Sequence, residues 1–184
     1  MKNKLLKLSF IPVIALLFMS FVIQEDWFHY TSEKFGYEVD FPQKPLEQNT
    51  TLNTEIGPLE MNYSMVQETD LNADNMVYMV NYTVYPSDKI SSDNKEMIDG
   101  FLRGAVDGAV RNVGGKLLTE KELSYKGYPG REITIDFQNG TAVIRMRVYL
   151  VNNVNYILQT ISKAGKADNP NANKFMNSFE LIEK

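Results

Sequence analysis

Apolar and polar residues alternate through most of the stretch from Tyr128 to Ile161, and two short turns, Asn139-Gly140 and Asn152-Asn153, divide it into three runs. Alternation of period two between turn residues specifies antiparallel strands, so the stretch predicts a three-stranded meander. If Asn139-Gly140 forms a two-residue type I′ turn, opposed residue numbers sum to 279. Phe137 then faces Ala142, Ile135 faces Ile144 and Ile133 faces Met146, all apolar pairs. On the other face Glu132 lies opposite Arg147 and Thr134 opposite Arg145, with Asp136 diagonal to Arg145. A slip of one residue would scramble both faces, so the pattern selects this register. A two-residue loop at Asn152-Asn153 sets Tyr149 opposite Tyr156, Val151 opposite Val154 and Val148 opposite Ile157. The last strand is then largely apolar on both faces, which calls for cover on each.

The rest of the chain reads in the same way. Phe35, Tyr37, Val39 and Phe41 alternate as far as Pro42 and predict a strand on the rim of the sheet. A polar strand from Pro45 to Thr54 turns at Ile56-Gly57-Pro58 into an alternating one carrying Leu59, Met61, Tyr63 and Met65. Met76 to Tyr85 is apolar on both faces, as an interior strand requires. One long helix follows, with Asp93 as N-cap and Glu96 completing an acidic capping box. Its apolar stripe runs from Met97 to Val113, Gly114-Gly115 ends it, and Asp99, Arg103, Asp107 and Arg111 form a solvated charge ladder. A further strand spans Lys116 to Ser124, and Pro170 opens a short helix through Asn177. Phe175, Met176, Phe179 and Leu181 then close the core. The aromatic run Trp27, Phe28, His29, Tyr30 is either an arm docked on the body or an exposed tether.

Three glycines inside the long helix, Gly100, Gly104 and Gly108, change this picture. Together they cost roughly 3 kcal/mol relative to alanine, so a close approach of the helix backbone to the sheet or a loop is expected to recover it. The functional alternative is a groove for a partner strand or a small ligand.

Composition decides the compartment more than the fold. The chain has 184 residues and no cysteine, which suits one domain and excludes disulfides, thiol catalysis and cysteinyl zinc. Lys2, Lys4 and Lys7 precede an apolar run from Leu8 to Ile23, interrupted by Ser9, Pro12 and Ser20. As a helix it would span roughly 24 Å, short of the hydrocarbon core. Residues 1–23 therefore read as a secretory signal or an uncleaved signal anchor, and residues 24–184 as the single domain. Bulky Phe18 spoils the small-residue cleavage pattern at Ser20, so both fates stay open. Removing residues 1–23 takes three lysines and no acid, moving the formal charge from −4 to −7. That balance argues against nucleic acid and against anionic lipid as partners; membrane contact is expected only through residues 1–23 if they are retained. Sequons at Asn49, Asn62, Asn81 and Asn139 matter only in a eukaryotic secretory route, and Asn139 is already explained as a turn residue.

Candidate chemistry is sparse. The sole histidine, His29, lies in the aromatic run, and no nucleophile elbow, phosphate-binding glycine loop, calcium loop or metal-ligand spacing is present. Gly127, Gly130 and Gly140 read as turn residues. No catalytic residue, metal or cofactor is therefore expected. The remaining polar group is Arg131, Glu132, Arg145 and Arg147 on the meander, either a salt-bridge lattice or an anion or carboxylate site.

Three segments together resemble a known group: Tyr128-Pro129-Gly130-Arg131-Glu132; Arg145 to Val151 with Tyr156-Ile157-Leu158-Gln159; and Phe175-Met176-Asn177-Ser178-Phe179. They look like the closing half of bacterial PsbP/Mog1-like domains, and Tyr37 to Pro42 is similar to their opening. The resemblance implies an α+β fold: an α/β/α sandwich of a mainly antiparallel sheet, with the long helix on one side and the terminal helix on the other. Domains of this kind serve as photosystem extrinsic subunits, regulators of a small GTPase, and exported DcrB-like bacterial proteins. The function expected is thus an exported, periplasmic or secreted accessory domain without catalysis, binding another envelope protein. The alternative is a small-ligand or anion binder using the helix groove or the Arg131/Arg145/Arg147 cluster, with a hydrolase a more remote third.

Overall fold

The computed structural model describes residues 26–54 and 56–182; the segment read as signal or anchor lies outside the described residues. In chain order the elements are β1 (Phe28–Ser32), β2 (Tyr37–Phe41), β3 (Leu46–Thr54), β4 (Gly57–Gln67), β5 (Asn75–Val84), α1 (Lys95–Val113), β6 (Lys116–Tyr125), β7 (Tyr128–Phe137), β8 (Ala142–Val151), β9 (Val154–Lys163), α2 (Pro170–Asn177) and β10 (Glu180–Leu181).

The meander β7-β8-β9 has the register that its alternation predicts, from Phe137 opposite Ala142 to Glu132 opposite Arg147, and from Val151 opposite Val154 to Val148 opposite Ile157. The first turn holds Asn139 at φ 53° and Gly140 at φ 84°, as type I′ requires, and the Asp136 carboxylate accepts the Gly140 N–H at 2.7 Å. The meander belongs to a seven-stranded antiparallel sheet ordered β3-β4-β5-β9-β8-β7-β6. Strand β2 is not on its rim. It lies in a second sheet, ordered β1-β2-β10, stacked on the face of the large one. Tyr37, Val39 and Phe41 are buried there among Tyr156, Phe175 and Phe179. Alternation identifies a strand, but its pairing with the distant Glu180-Leu181 is set by the whole fold. The aromatic run is docked: β1 pairs along β2, and Trp27 meets Tyr78 edge-on at 5.7 Å with Lys174 over its ring.

Helix α2 shares a layer with the small sheet, and α1 covers the opposite face of the large sheet, giving the expected α+β sandwich. Asn94, not Asp93, is the N-cap of α1 and accepts from Glu96 N–H; either side chain suits a cap, so only the backbone decides. Gly114 ends α1 in the left-handed region at φ 59°. Leu102 and Val106 are fully buried, and Val106 packs on Ile133, Ile135, Ile144 and Met146 of β7 and β8.

Gly100, Gly104 and Gly108 lie on the outward side of α1, at about 100° per residue from Leu102 and Val106. A Cβ at any of them would meet nothing within 4 Å, so the close approach expected from the sequence does not occur there. It occurs instead at Gly130, inside β7 rather than in the turn, where a Cβ would lie 2.5 Å from the Val148 carbonyl and 2.7 Å from the Tyr149 ring. Gly104→Ala should therefore raise stability by about 0.5–1 kcal/mol, read as a higher denaturation midpoint. A lower midpoint would reveal a contact against the outer face of α1.

Candidate functional site

Successive side chains of a strand point to opposite faces, and this divides the predicted polar cluster. Glu132, Arg145 and Arg147 meet on the face beneath α2. Arg131 projects from the other face, where it pairs with Asp99 of α1 at 2.5 Å and with Glu120 and Glu122 of β6 at 3.4 Å. It ties α1 to the sheet edge and does not join the other two arginines.

Beneath α2, the Glu132 carboxylate is the centre of the group and is 7 % exposed. It accepts from Lys121 Nζ at 2.7 Å, Arg147 Nε at 2.5 Å and an Arg145 terminal nitrogen at 3.1 Å. Burial pushes the Glu132 carboxyl up, yet Lys121, Arg147 and Arg145 outweigh that and hold it at about 2. Both guanidinium groups also reach α2. Arg145 donates to Asn173 Oδ1 at 2.6 Å, with Asp168 at 3.6 Å. Arg147 donates to the Met176 carbonyl at 2.8 Å and to Asn177 Oδ1 at 2.9 Å, where the carbonyl end of a helix favours a cation. An incoming anion would thus compete with Glu132 for Arg147 Nε and with the end of α2 for its other donors. The arrangement fastens a helix to a sheet.

The opposite end of α2 is fastened by amides. Asn169 caps the helix by accepting the Ala172 N–H at 2.9 Å, and its side chain exchanges hydrogen bonds of 2.7 and 2.9 Å with buried Asn75. Ser162 donates to the same Asn75 oxygen. The sequence carries little sign of this network: Asn75 only precedes the apolar run of β5, and Pro170 alone marks a cap nearby. Beside Arg145, a cleft of about 380 Å³ is lined by Leu118, Ala142, Val143, Ala164 and Asp168. A second, polar cleft of about 350 Å³ lies between β1 and β3, lined by Tyr30, Lys34, Glu47 and Asn49 among others. Behind it Tyr37 donates to Ser64, which donates to Tyr30; burial raises the Tyr37 hydroxyl above its ordinary range. His29 is exposed and sits 2.9 Å from Asp40; that hydrogen bond raises the imidazole above its usual 6.5.

One face of the large sheet is left partly open. Helix α1 lies over β7 and β8, with Ile157 and Ile161 of β9 at its flank. Its Phe101 meets Tyr85 edge-on at 5.2 Å just past β5, where Asn81 and Thr83 are buried. The same face of β3, of β4 and of the end of β5 that carries Val77 and Met79 is covered less. That face carries Met61, Tyr63 and Met65 on β4 and Val77 and Met79 on β5, all only half-buried, with Leu46 of β3 66 % exposed. On β4 the buried residues are instead Ser64 and Val66, pointing the other way. The alternating apolar stripe of β4 is therefore not core.

No family model and no curated protein matches the chain. Among solved structures it is similar to the solution structure of the cyanobacterial PsbP, CyanoP, from a Synechocystis species. The identity is 14 %, the match covers 88 % of this chain and 95 % of that one, and the TM-score is 0.52. The fold is thus PsbP-like over nearly all of the described residues.

Glu132→Gln tests the polar centre. It leaves two guanidinium groups without their shared carboxylate and should cost about 3–5 kcal/mol of unfolding free energy. Because the folded carboxyl is depressed to about 2 from 4.5, its contribution is present above pH 4.5 and lost as pH falls towards 2. Urea unfolding across that window should show the slope in the wild type and a smaller one in Glu132→Gln.

Proposed function

We propose that the chain is an exported accessory domain without catalytic activity, and that it works by binding another protein of the cell envelope. The observation that carries this reading is the open apolar face of β3, β4 and β5. A contiguous apolar surface on an otherwise polar domain marks an interaction site, and methionines suit one because they adapt to a partner's shape. Sequence places no lysine or arginine on the open-face positions of β4 and β5, which suits an apolar protein surface better than a phosphate-bearing one. Export rests on the basic start and the apolar run that follows it. Among the described residues no helix is long and apolar enough to cross a membrane, so an anchored form would depend on residues 1–23.

The second reading, a small-ligand binder, is favoured by the apolar cleft beside Arg145 and Asp168. Affinity capture from the envelope fraction separates the two. The wild type should recover a stoichiometric protein, and Met65→Lys with Met79→Lys should weaken its binding at least about tenfold, the loss typical of an interface anchor. Recovery of a small molecule and no stoichiometric protein would overturn the reading and direct attention to the cleft.

A further inference from the structure

The two edges of the large sheet differ in how they are defended. Strand β6 carries Lys116, Glu120, Lys121 and Glu122, and a bulge between Leu117 and Thr119 interrupts its ladder. Charges and bulges of this kind stop an edge from pairing with another chain. Strand β3 has neither device. Its register with β4 runs unbroken from Leu46 opposite Met65 to Thr54 opposite Gly57, and its residues are exposed over most of their length. Glu47 is its one charge, and Pro45 precedes the strand instead of interrupting it. Among the described residues only β4 pairs with it.

We propose that β3 is a homodimerisation edge, which pairs antiparallel with β3 of a second copy about a two-fold axis at Asn49. The sequence of the strand is self-complementary in that register. Leu46 of each copy lies opposite Leu52 of the other, Glu47 opposite Thr51, Gln48 opposite Thr50, and Asn49 opposite Asn49. Apolar residues meet apolar ones and no like charges oppose each other, each pair contributing roughly 0.2–1 kcal/mol. Centring the axis on Thr50 instead would set Leu46 against Thr54 and Leu52 against Gln48, losing both apolar pairs. Pairing β3 with β6 of a second copy would be heterologous and open-ended, and it meets the charges and the bulge. Pairing β3 with β3 consumes the undefended edge of both copies and closes.

Self-pairing uses the edge of the sheet, whereas the envelope partner proposed above uses its face, so either can fail without the other. The axis runs perpendicular to the sheet and keeps the two open faces on one side, joined across the Leu46–Leu52 pairs.

The chain has no cysteine, so one introduced thiol reports the axis. In the full chain, exported from a bacterial host and mildly oxidised in the intact envelope, Asn49→Cys should give a disulfide dimer. Asn53→Cys, on the same face but off the axis, and Glu122→Cys on β6 should cross-link at least about tenfold more slowly, since only opposed Cα atoms fall within the roughly 4.4–6.8 Å that a disulfide spans. Sedimentation of the wild type should show a dimer that Asn49→Lys, by opposing two lysines, returns to monomer, with a melting temperature equal to that of the wild type diluted to monomer. Equal cross-linking rates at the three positions, or a wild type that stays monomeric at millimolar concentration, would overturn the proposal.

Discussion

The buried carboxylate of Glu132 is the constraint on which the layered structure depends. It lies under α2, where an isolated charge would be costly, and persists because Lys121, Arg145 and Arg147 converge on it. Those arginines extend past it to Asn173 and to the carbonyl end of α2, so one acid positions two cations and the cations position a helix. Phe175 then points from α2 onto Phe41 and Tyr78, with Met176 buried in the same cluster, while Phe179 just beyond α2 stacks on Tyr149. The small sheet closes over the same aromatic cluster, with Ser178 accepting the Asp40 N–H. Removing the carboxylate would loosen α2 first, and with α2 the clamp that holds β2 over the large sheet.

The two faces of the large sheet are treated unequally as a result. One carries α2, the small sheet and a continuous aromatic core. The other carries a single helix of 19 residues, held over β7 and β8 by Val106 and by the Arg131 pair to Asp99. One helix about 10 Å wide cannot cover seven strands spaced about 4.8 Å apart, so part of that face must stay open. The half-buried stripe of Leu59, Met61, Tyr63 and Met65 follows from this arithmetic of widths.

Much of this was legible in the sequence, because local signals carried it. The meander register followed from side-chain alternation and Asn-Gly turn chemistry, both readable within a few residues. Helix α2 followed from Pro170, and the end of α1 from Gly114. What was not legible depends on contacts distant in sequence. Tyr37 to Phe41 reads as a strand in any sheet, and its partner Leu181 lies at the far end of the domain. Arg131 and Glu132 fall together in a linear reading, yet adjacent strand positions face opposite ways, and their shared charged character hides that local signal. The helical glycines invited a packing explanation that the open space around them removes. Gly130 needed that explanation and was masked by its place near a turn.

The β4 stripe shows why pattern and burial must be kept apart. Alternation records which residues lie on one face of a strand, and a soluble domain usually turns the apolar face inward. Here β4 buries Ser64, hydrogen-bonded between Tyr30 and Tyr37, and leaves its methionines half-buried on the other face. Ser64 can be buried because both hydroxyl partners are supplied by the small sheet, which lies across β4 from the side opposite α1. The apolar face is then the one without cover, and it continues outwards through Leu52 and Leu46 to the undefended edge of β3. Edge and face meet at those two leucines, so a partner strand at β3 would extend the same apolar surface that a partner protein would occupy.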